Sequence, residues 1–516
     1  MRLKNFIGKN FWLILIISLY FVTRFWGILK VPRSVYWDEA SIGYNAYSVL
    51  TTGADEWGEK LPLHFRAFGE FKLPVYVYSV AISESIFGLT PFAVRFPAVI
   101  YGFLVVLGVY ALILKLTQEK NVALMGAFFM VISPWTFIFT RTGYEAIAGL
   151  AFMIWGIFFL ALSFEKPKLL LVSTLCFIAS FYSYNSFRIL ASLVLMFGMI
   201  YFLVKIISKK NWKSLVVLLL SSLIFIVSVL PLYKLYKFDS GLGRLAVVGV
   251  NQKNSILAFG QNYLSHFSPK FLFVSGDIIS RSQFPGNSQL FWLDVLFIFL
   301  GLVLVIKKRN FSYLLILVAL LIAPIPASIT KESPHALRSI FMAPIFSILT
   351  ALGVSYFLKL TGKYQKGFTF LILGIYIFLF GSYFYRFINK YNKLSSDDWQ
   401  YPYSEIYSQY SSVFPNYSTI YIVDKYAQPY IFALFYSKVN PRDFIAQKVL
   451  NPVSDWGFST VKSFGKFEFI KNCTGEFISN SLLFCPLEEE PSENVVEIGE
   501  IKNQLQKVII NVYHYE

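Results

Sequence analysis

Apolar runs constrain this chain more than any motif in it. Eleven of them, at about 11–29, 91–114, 121–139, 146–163, 168–184, 189–206, 213–232, 289–306, 311–329, 339–358 and 367–385, are long and uninterrupted enough to cross a bilayer as helices. Composition agrees. Of 516 residues 56% are hydrophobic and only 15% charged, against roughly 25% charged in ordinary soluble domains. The expected class is an α-helical, multi-pass membrane protein of about eleven spans. The first run continues through Phe25, Trp26 and Ile28 with no small-residue cleavage site, so it reads as a retained helix rather than a removed leader.

The net charge of +17 raises nucleic acid as a partner, and its distribution argues against one. With the N-terminus inside, the cytoplasmic segments hold Arg2, Lys4 and Lys9, Lys205 to Lys213, Lys307 to Arg309, and Lys359 to Lys366. The short outer loops hold Arg141, Arg188, Lys331 and Arg338. That is the positive-inside bias, so the basic balance reports topology and the partner it implies is a lipid bilayer.

Three stretches stand outside the bilayer. Residues 1–389 read as the membrane domain, with outer loops at 30–90 and 233–288. In the first loop, Ala40–Leu50 and Leu73–Phe87 carry apolar faces at helical spacing and are expected to lie as interfacial helices. The second loop is rich in Gly and Pro, as lids and binding loops often are. Residues 390–516 change composition sharply. Strand-like runs at Thr419–Val423, Lys466–Ile470, Ser481–Cys485 and Lys507–Tyr515, with a helical run at Ala427–Tyr436, predict an extracytoplasmic α/β domain. Cys473 and Cys485 both lie there, where disulfides persist, and their spacing leaves a bridge open.

Ionisable residues collect at the outer ends of the helices: Asp38 and Glu39 after the first, Glu70 and Lys72 in the first loop, Arg95 at the second, Arg141 and Glu145 after the third, Tyr184 and Arg188 after the fifth, His335 and Arg338 before the tenth. Such groups at a membrane face usually line a cavity and mark function. Arg and Lys can clamp a phosphate, and a carboxylate can deprotonate an acceptor hydroxyl or amine. No Walker loop or dinucleotide fingerprint is present.

Four pieces in order carry a resemblance: Trp37-Asp38-Glu39, Glu70-Phe71-Lys72-Leu73-Pro74, Phe92-Ala93-Val94-Arg95, and Ser133-Pro134-Trp135 through Arg141-Thr142-Gly143-Tyr144-Glu145. Over residues 10–200 the chain resembles the GT-C superfamily of polyprenyl-phosphate-sugar glycosyltransferases, in particular protein O-mannosyltransferases and lipid A aminoarabinose transferases. The resemblance implies inversion at the anomeric carbon, an outward-facing site and a polyprenyl-phosphate-linked sugar donor. It gives Asp38 the acceptor, Glu145 a supporting acidic role and Lys72 the lipid phosphate. This chain departs in placing Phe71 between Glu70 and Lys72, and Leu73 between Lys72 and Pro74. Some members hold a divalent cation, for which His335 with Glu39 or Glu145 would be the donors. One histidine among carboxylates makes a poor metal site, and no metal ligand or cofactor is assigned.

Each residue also has a plainer reading. Asp38 and Glu39 would cap a surface helix. Arg95 would anchor a helix at the headgroups, and Lys72 would be a solvated loop lysine. Arg141 with Glu145, and His335 with Arg338, would pair along a helix face. Arg188, with Tyr184, would fix a loop or bind a headgroup rather than the donor. On this reading the catalytic set is Asp38, Glu39 and Glu145. Lys72, Arg95, Arg141, Arg188 and Arg338 would hold the donor, with Glu70, Tyr184 and His335 as accessories. The rival functions are an oligosaccharide or lipid-headgroup transferase, a flippase or transporter, and a non-catalytic assembly protein. Transporters tend to place broken helices at mid-membrane, whereas here the charges lie at one face.

Overall fold

The computed structural model describes residues 2–68, 70–238, 249, 255–308, 310–452, 459–489, 491 and 494–516. The chain divides into two compact units, Met1–Trp26 with Ala98–Phe387, and Gly27–Pro97 with Ile388–Glu516.

The first unit is helical. Each backbone N–H and C=O placed in hydrocarbon must be paired within the segment, and a helix does this for any apolar sequence. Among the described residues, seven helices are long and apolar enough to cross a membrane: Pro91–Thr117, Ala146–Ser163, Asn185–Lys209, Lys213–Tyr233, Phe311–Ser328, Met342–Leu360 and Gly362–Ser395. Shorter apolar helices occupy Asn10–Phe25, Lys120–Ile132 and Leu169–Phe181, and another runs Asp294–Lys307. All eleven expected runs are thus helical, with seven of the full spanning length. The closest packing is between Asp294–Lys307 and Met342–Leu360. A Cβ on Gly301 would lie 2.1 Å from the Leu349 carbonyl oxygen, and one on Gly353 would lie 1.8 Å from that of Phe297. Small residues let the two backbones touch where lipid gives no hydrophobic drive to associate. Of the expected 233–288 loop, 239–248 and 250–254 lie outside the described residues. Its later part holds the helix Ser255–Ser265 and a π-helical turn at Lys270–Val274.

In the second unit a long helix, Trp37–Thr52, follows the first span. It buries Glu39 to Ala46 and Ser48. At Gly43 this helix lies close against its neighbours: a Cβ there would meet the Phe435 ring at 2.6 Å and Val94 at 2.8 Å. This stretch is therefore a core helix of its unit, not the interfacial helix that its apolar face suggested. The next helix, Pro74–Phe87, packs on it and leaves Ile82, Ile86 and Phe87 exposed. Between them lies a hairpin of β1 (Phe65–Ala67) and β2 (Glu70–Lys72), with Phe65 opposite Lys72 and Ala67 opposite Glu70.

The rest of this unit is a seven-stranded mixed sheet. Its strands are β3 (Thr419–Val423), β4 (Val449–Leu450), β5 (Val461–Phe464), β6 (Phe467–Ile470), β7 (Ser481–Pro486), β8 (Val495–Lys502) and β9 (Val508–Tyr515). The order is β4-β5-β6-β3-β7-β9-β8. β3 runs parallel to both β6 and β7, and the other pairs are antiparallel. β3 reads Thr-Ile-Tyr-Ile-Val, β-branched and buried along nearly its whole length, as a central strand flanked on both sides should be. Helices Tyr401–Tyr410 and Pro429–Tyr436 add Tyr407, Phe432 and Phe435 to the core. A disulfide joins Cys473 to Cys485, Cα atoms 5.9 Å apart, within a buried cluster that includes Tyr421, Leu483 and Tyr513.

Candidate active site

The Trp37–Thr52 helix starts after Tyr36, which is extended and gives no side-chain cap. Asp38 and Glu39 fill its first turn, where the unpaired N–H groups of a helix favour negative charge. Consecutive helical residues point about 100° apart, so the two carboxylates serve different surroundings.

Glu39 is buried and meets Arg95 through two bonds. Nε donates to Oε1 at 2.9 Å and Nη2 to Oε2 at 3.0 Å. The remaining donors of Arg95 go to carbonyls, Nη1 to Ile28 at 2.7 Å and Pro32 at 2.8 Å, Nη2 to Ser34 at 2.6 Å. A guanidinium has five N–H groups; two are spent on Glu39 and three on the segment that leads into the helix.

Asp38 turns the other way, to Lys72. The ammonium lies 2.7 Å from Asp38 Oδ1 and 2.8 Å from Glu70 Oε1. The strand β2 brings the latter pair together, because residues two apart share a face. Phe71, the residue that separates them, is what alternation requires. The two carboxylates are partly exposed, Asp38 at 19% and Glu70 at 12%, while the Lys72 side chain between them is buried at 7%. Aromatic rings run along the cluster, Trp37 against Phe68 and Phe68 against Tyr430.

The other expected residues belong to the first unit. Arg141 donates through Nη1 to the carbonyls of Thr23 and Arg24, and through Nη2 to Trp26. These are the orphan carbonyls at the end of the first helix. Arg24 answers by donating to Thr140 Oγ1 and the Val131 carbonyl. Residues 141–145 form a turn, so the helical face expected to pair Arg141 with Glu145 does not exist. Glu145 is buried at the head of the Ala146–Ser163 helix. Tyr184 is extended ahead of Asn185–Lys209, and the Arg188 guanidinium lies 5.9 Å from the Phe181 ring. His335 and Arg338 likewise sit in turns rather than on a helix. Arg338 donates to Thr330 Oγ1 at 2.8 Å and pairs with Glu332 at 3.1 Å. His335 Nδ1 is 3.5 Å from Asp277 Oδ2, which accepts from the Ala336 N–H at 2.6 Å.

A family model for dolichyl-phosphate-mannose-protein mannosyltransferase matches residues 72–233. ArnT from Cupriavidus metallidurans has the same fold. Its apo structure superposes with a TM-score of 0.54 at 14% identity, over 84% of this chain and 85% of that one. The structure bound to undecaprenyl phosphate gives 0.56 at 11% identity over 98% of each chain. No curated protein sequence gives a significant match. The chain has a GT-C fold and resembles the polyprenyl-phosphate-sugar glycosyltransferases.

Within this GT-C chain the structure adds residues that sequence did not single out. His266 is buried and held neutral, its pKa lowered to about 4 by desolvation. Its Nδ1 meets the Asn262 carbonyl, and its Nε2 accepts from the His335 N–H. Asp277 is raised to about 6 by burial. In the second unit Glu56 is fully buried, and desolvation pushes its carboxyl up to about 8. It accepts from Trp57 Nε1, while Arg66 and Lys448 sit over the Trp57 ring at 4.1 and 4.5 Å. No motif marks these positions, because burial in a fold assembled from distant segments made them. Among the described residues no three His, Cys, Asp or Glu gather as metal ligands. The two carboxylates that do converge, Asp38 and Glu70, already share the Lys72 ammonium, so the residues present do not fit a divalent ion there.

Proposed function

We propose that this chain is an inverting membrane glycosyltransferase. It moves a hexose or pentose from a polyprenyl-phosphate carrier to an acceptor on the outer side of the membrane, a protein, lipid or cell-wall glycan. The observation that carries the reading is the pair of partly exposed carboxylates, Asp38 and Glu70, that share the Lys72 ammonium at the head of a helix in a GT-C fold. The ArnT structure bound to undecaprenyl phosphate supports the carrier. The bias of Lys and Arg toward one side supports eleven spans with the site facing out.

Asp38 takes the proton of the acceptor hydroxyl or amine. The acceptor atom bonds to the anomeric carbon as that carbon's bond to the phosphate oxygen breaks, and the carrier leaves as polyprenyl phosphate. A single displacement from the opposite face inverts the configuration. Charge grows on the phosphate, and an ammonium beside it stabilises that growth. In the resting arrangement Asp38 and Glu70 share Lys72. Arrival of the phosphate draws the ammonium away and leaves the Asp38 carboxylate free as base. In the first unit Arg188 and Arg338 are the proposed donor ligands, with Glu145, Tyr184 and His335 proposed beside them. Arg95, whose donors hold Glu39 and backbone carbonyls, and Arg141, whose donors hold the end of the first helix, are proposed as structural residues rather than donor ligands.

The test is binding and turnover of radiolabelled polyprenyl-phosphate sugars by the purified protein, with Asp38→Asn alongside. Wild type should release polyprenyl phosphate, and the variant should bind donor without releasing it. A folded wild-type protein that binds no such donor would overturn the proposal.

A further inference from the structure

The helix that carries Asp38 begins without a cap of its own, and a residue more than 360 positions away supplies one. Gln400 Oε1 accepts the Trp37 N–H at 2.8 Å. Its Nε2 donates to the carbonyls of Tyr426 and Ala427. The side chain therefore ties the residue before Asp38 to the turn that follows β3. Neighbouring contacts reinforce it: Ser34 Oγ donates to the Trp399 carbonyl at 2.7 Å, and the Tyr36 ring meets the Trp399 ring edge-on at 5.2 Å.

Gln400 itself is 2% exposed and sits at φ 48°, ψ 39°. A non-glycine residue in the left-handed region is strained and persists only when its surroundings over-determine it. Here three hydrogen bonds from one side chain do so. Such outliers concentrate where geometry has to be held for function.

Resting on the transferase reading above, we infer that Gln400 is a positioning residue for Asp38. It caps the first turn of the catalytic helix from the α/β part of its unit and so fixes the direction of the base relative to the donor. The sheet region thereby enters catalysis without touching the substrate.

The test uses the full-length protein and three variants. Gln400→Gly relieves the left-handed backbone and removes the cap. Gln400→Asn tolerates the backbone but is one methylene too short. Gln400→Glu keeps the acceptor but sets an oxygen against the two carbonyls, so it serves only when the substituted carboxyl is protonated. Misplacement of about 1 Å costs up to roughly 100-fold in rate. The Gly and Asn variants should therefore lose about 10- to 100-fold in kcat, with KM for the lipid donor unchanged. Hydrogen exchange across 37–39 should quicken about tenfold. The Glu variant should approach wild type at pH 5.5 and fall away from it toward pH 8. Full kcat in the Gly and Asn variants would overturn the inference, as would faster exchange confined to 424–428. The exchange arm does not need turnover. If wild type itself transfers nothing, the transferase reading fails, and exchange at 37–39 still decides whether Gln400 holds this turn.

Discussion

Asp38 and Glu39 are adjacent, chemically alike and set in the same helical turn, yet the structure gives them opposite surroundings. Glu39 is fully buried against a guanidinium whose five donors are all in use. Asp38 is partly open and faces an ammonium that a second carboxylate also holds. The first arrangement has nothing to exchange with a ligand. Its groups left water on folding and were repaid by each other and by the backbone, so it acts as a fixed clamp. The second has a cation with divided loyalties and a carboxylate within reach of solvent. On the proposed mechanism a phosphate competes for that cation, which two carboxylates already share. Within a pair of acidic residues, then, how completely the partner is committed separates structure from chemistry better than charge does.

Neutralising each carboxylate in turn is the strongest way to break this comparison. Asp38→Asn should lower turnover about 100- to 10,000-fold, the usual contribution of a positioned base. It should cost less stability than breaking the Glu39–Arg95 pair, because Lys72 still keeps Glu70 at 2.8 Å. A variant that transfers sugar at full rate would remove Asp38 from the mechanism. On the clamp side, Arg95→Ala should cost about 3–5 kcal/mol of stability, read as a drop in thermal midpoint in detergent, because it leaves a buried carboxylate unpaired. Arg95→Met with Glu39→Met should recover only part of that loss. The carbonyls of Ile28, Pro32 and Ser34 would still lack their donor. Full recovery would mean that the carbonyl bonds matter little and the clamp is only an ion pair.

Lys72 gives a smaller and more selective effect. If Lys72 holds the donor phosphate as proposed, Lys72→Met removes one charge-assisted contact, worth about 1.5–3 kcal/mol. Donor affinity should fall roughly 10- to 150-fold, while folding is retained. Equilibrium binding of the labelled lipid measures this directly. Unchanged affinity would move the phosphate to Arg188 or Arg338.

Much of this was legible in the sequence, and the reason is physical. Helices in hydrocarbon follow from apolar run length alone, so all eleven expected runs are helical. β3, β6, β7 and β9 announce themselves through β-branched and aromatic runs. β4, β5 and β8 are short or polar, β4 and β8 are mostly exposed, and none gave such a signal. The Trp37–Thr52 helix looked interfacial because its apolar face is real, but protein covers its other faces too. Pairing was harder still. That Arg95 would be consumed by Glu39, or Arg141 by the end of the first helix, depends on contacts between segments far apart in sequence. Gln400 and Glu56 matter only through what the fold places around them.

Glu56 sharpens the comparison from a third side, since it is as buried as Glu39 but has no guanidinium clamped to its carboxyl. Its pKa rises to about 8, first because burial disfavours the charged form and then because Asp55 is near; Lys448 opposes the rise. Between about 4.5 and 8 the folded chain keeps a proton that the unfolded chain has released. The folded state therefore binds more protons there, and stability must fall as pH rises through that window. Below it both states are protonated and the penalty vanishes. Glu56→Gln keeps the acceptor for Trp57 Nε1 and cannot ionise. At pH 8 it should be more stable than wild type by about 1–3 kcal/mol, a rise of several degrees in thermal midpoint. At pH 4.5 the two should melt together. A gain of equal size at both pH values would mean that packing, not ionisation, sets the effect. A loss at pH 8 would mean that the carboxylate is ionised in the fold and held by Lys448 as Glu39 is held by Arg95.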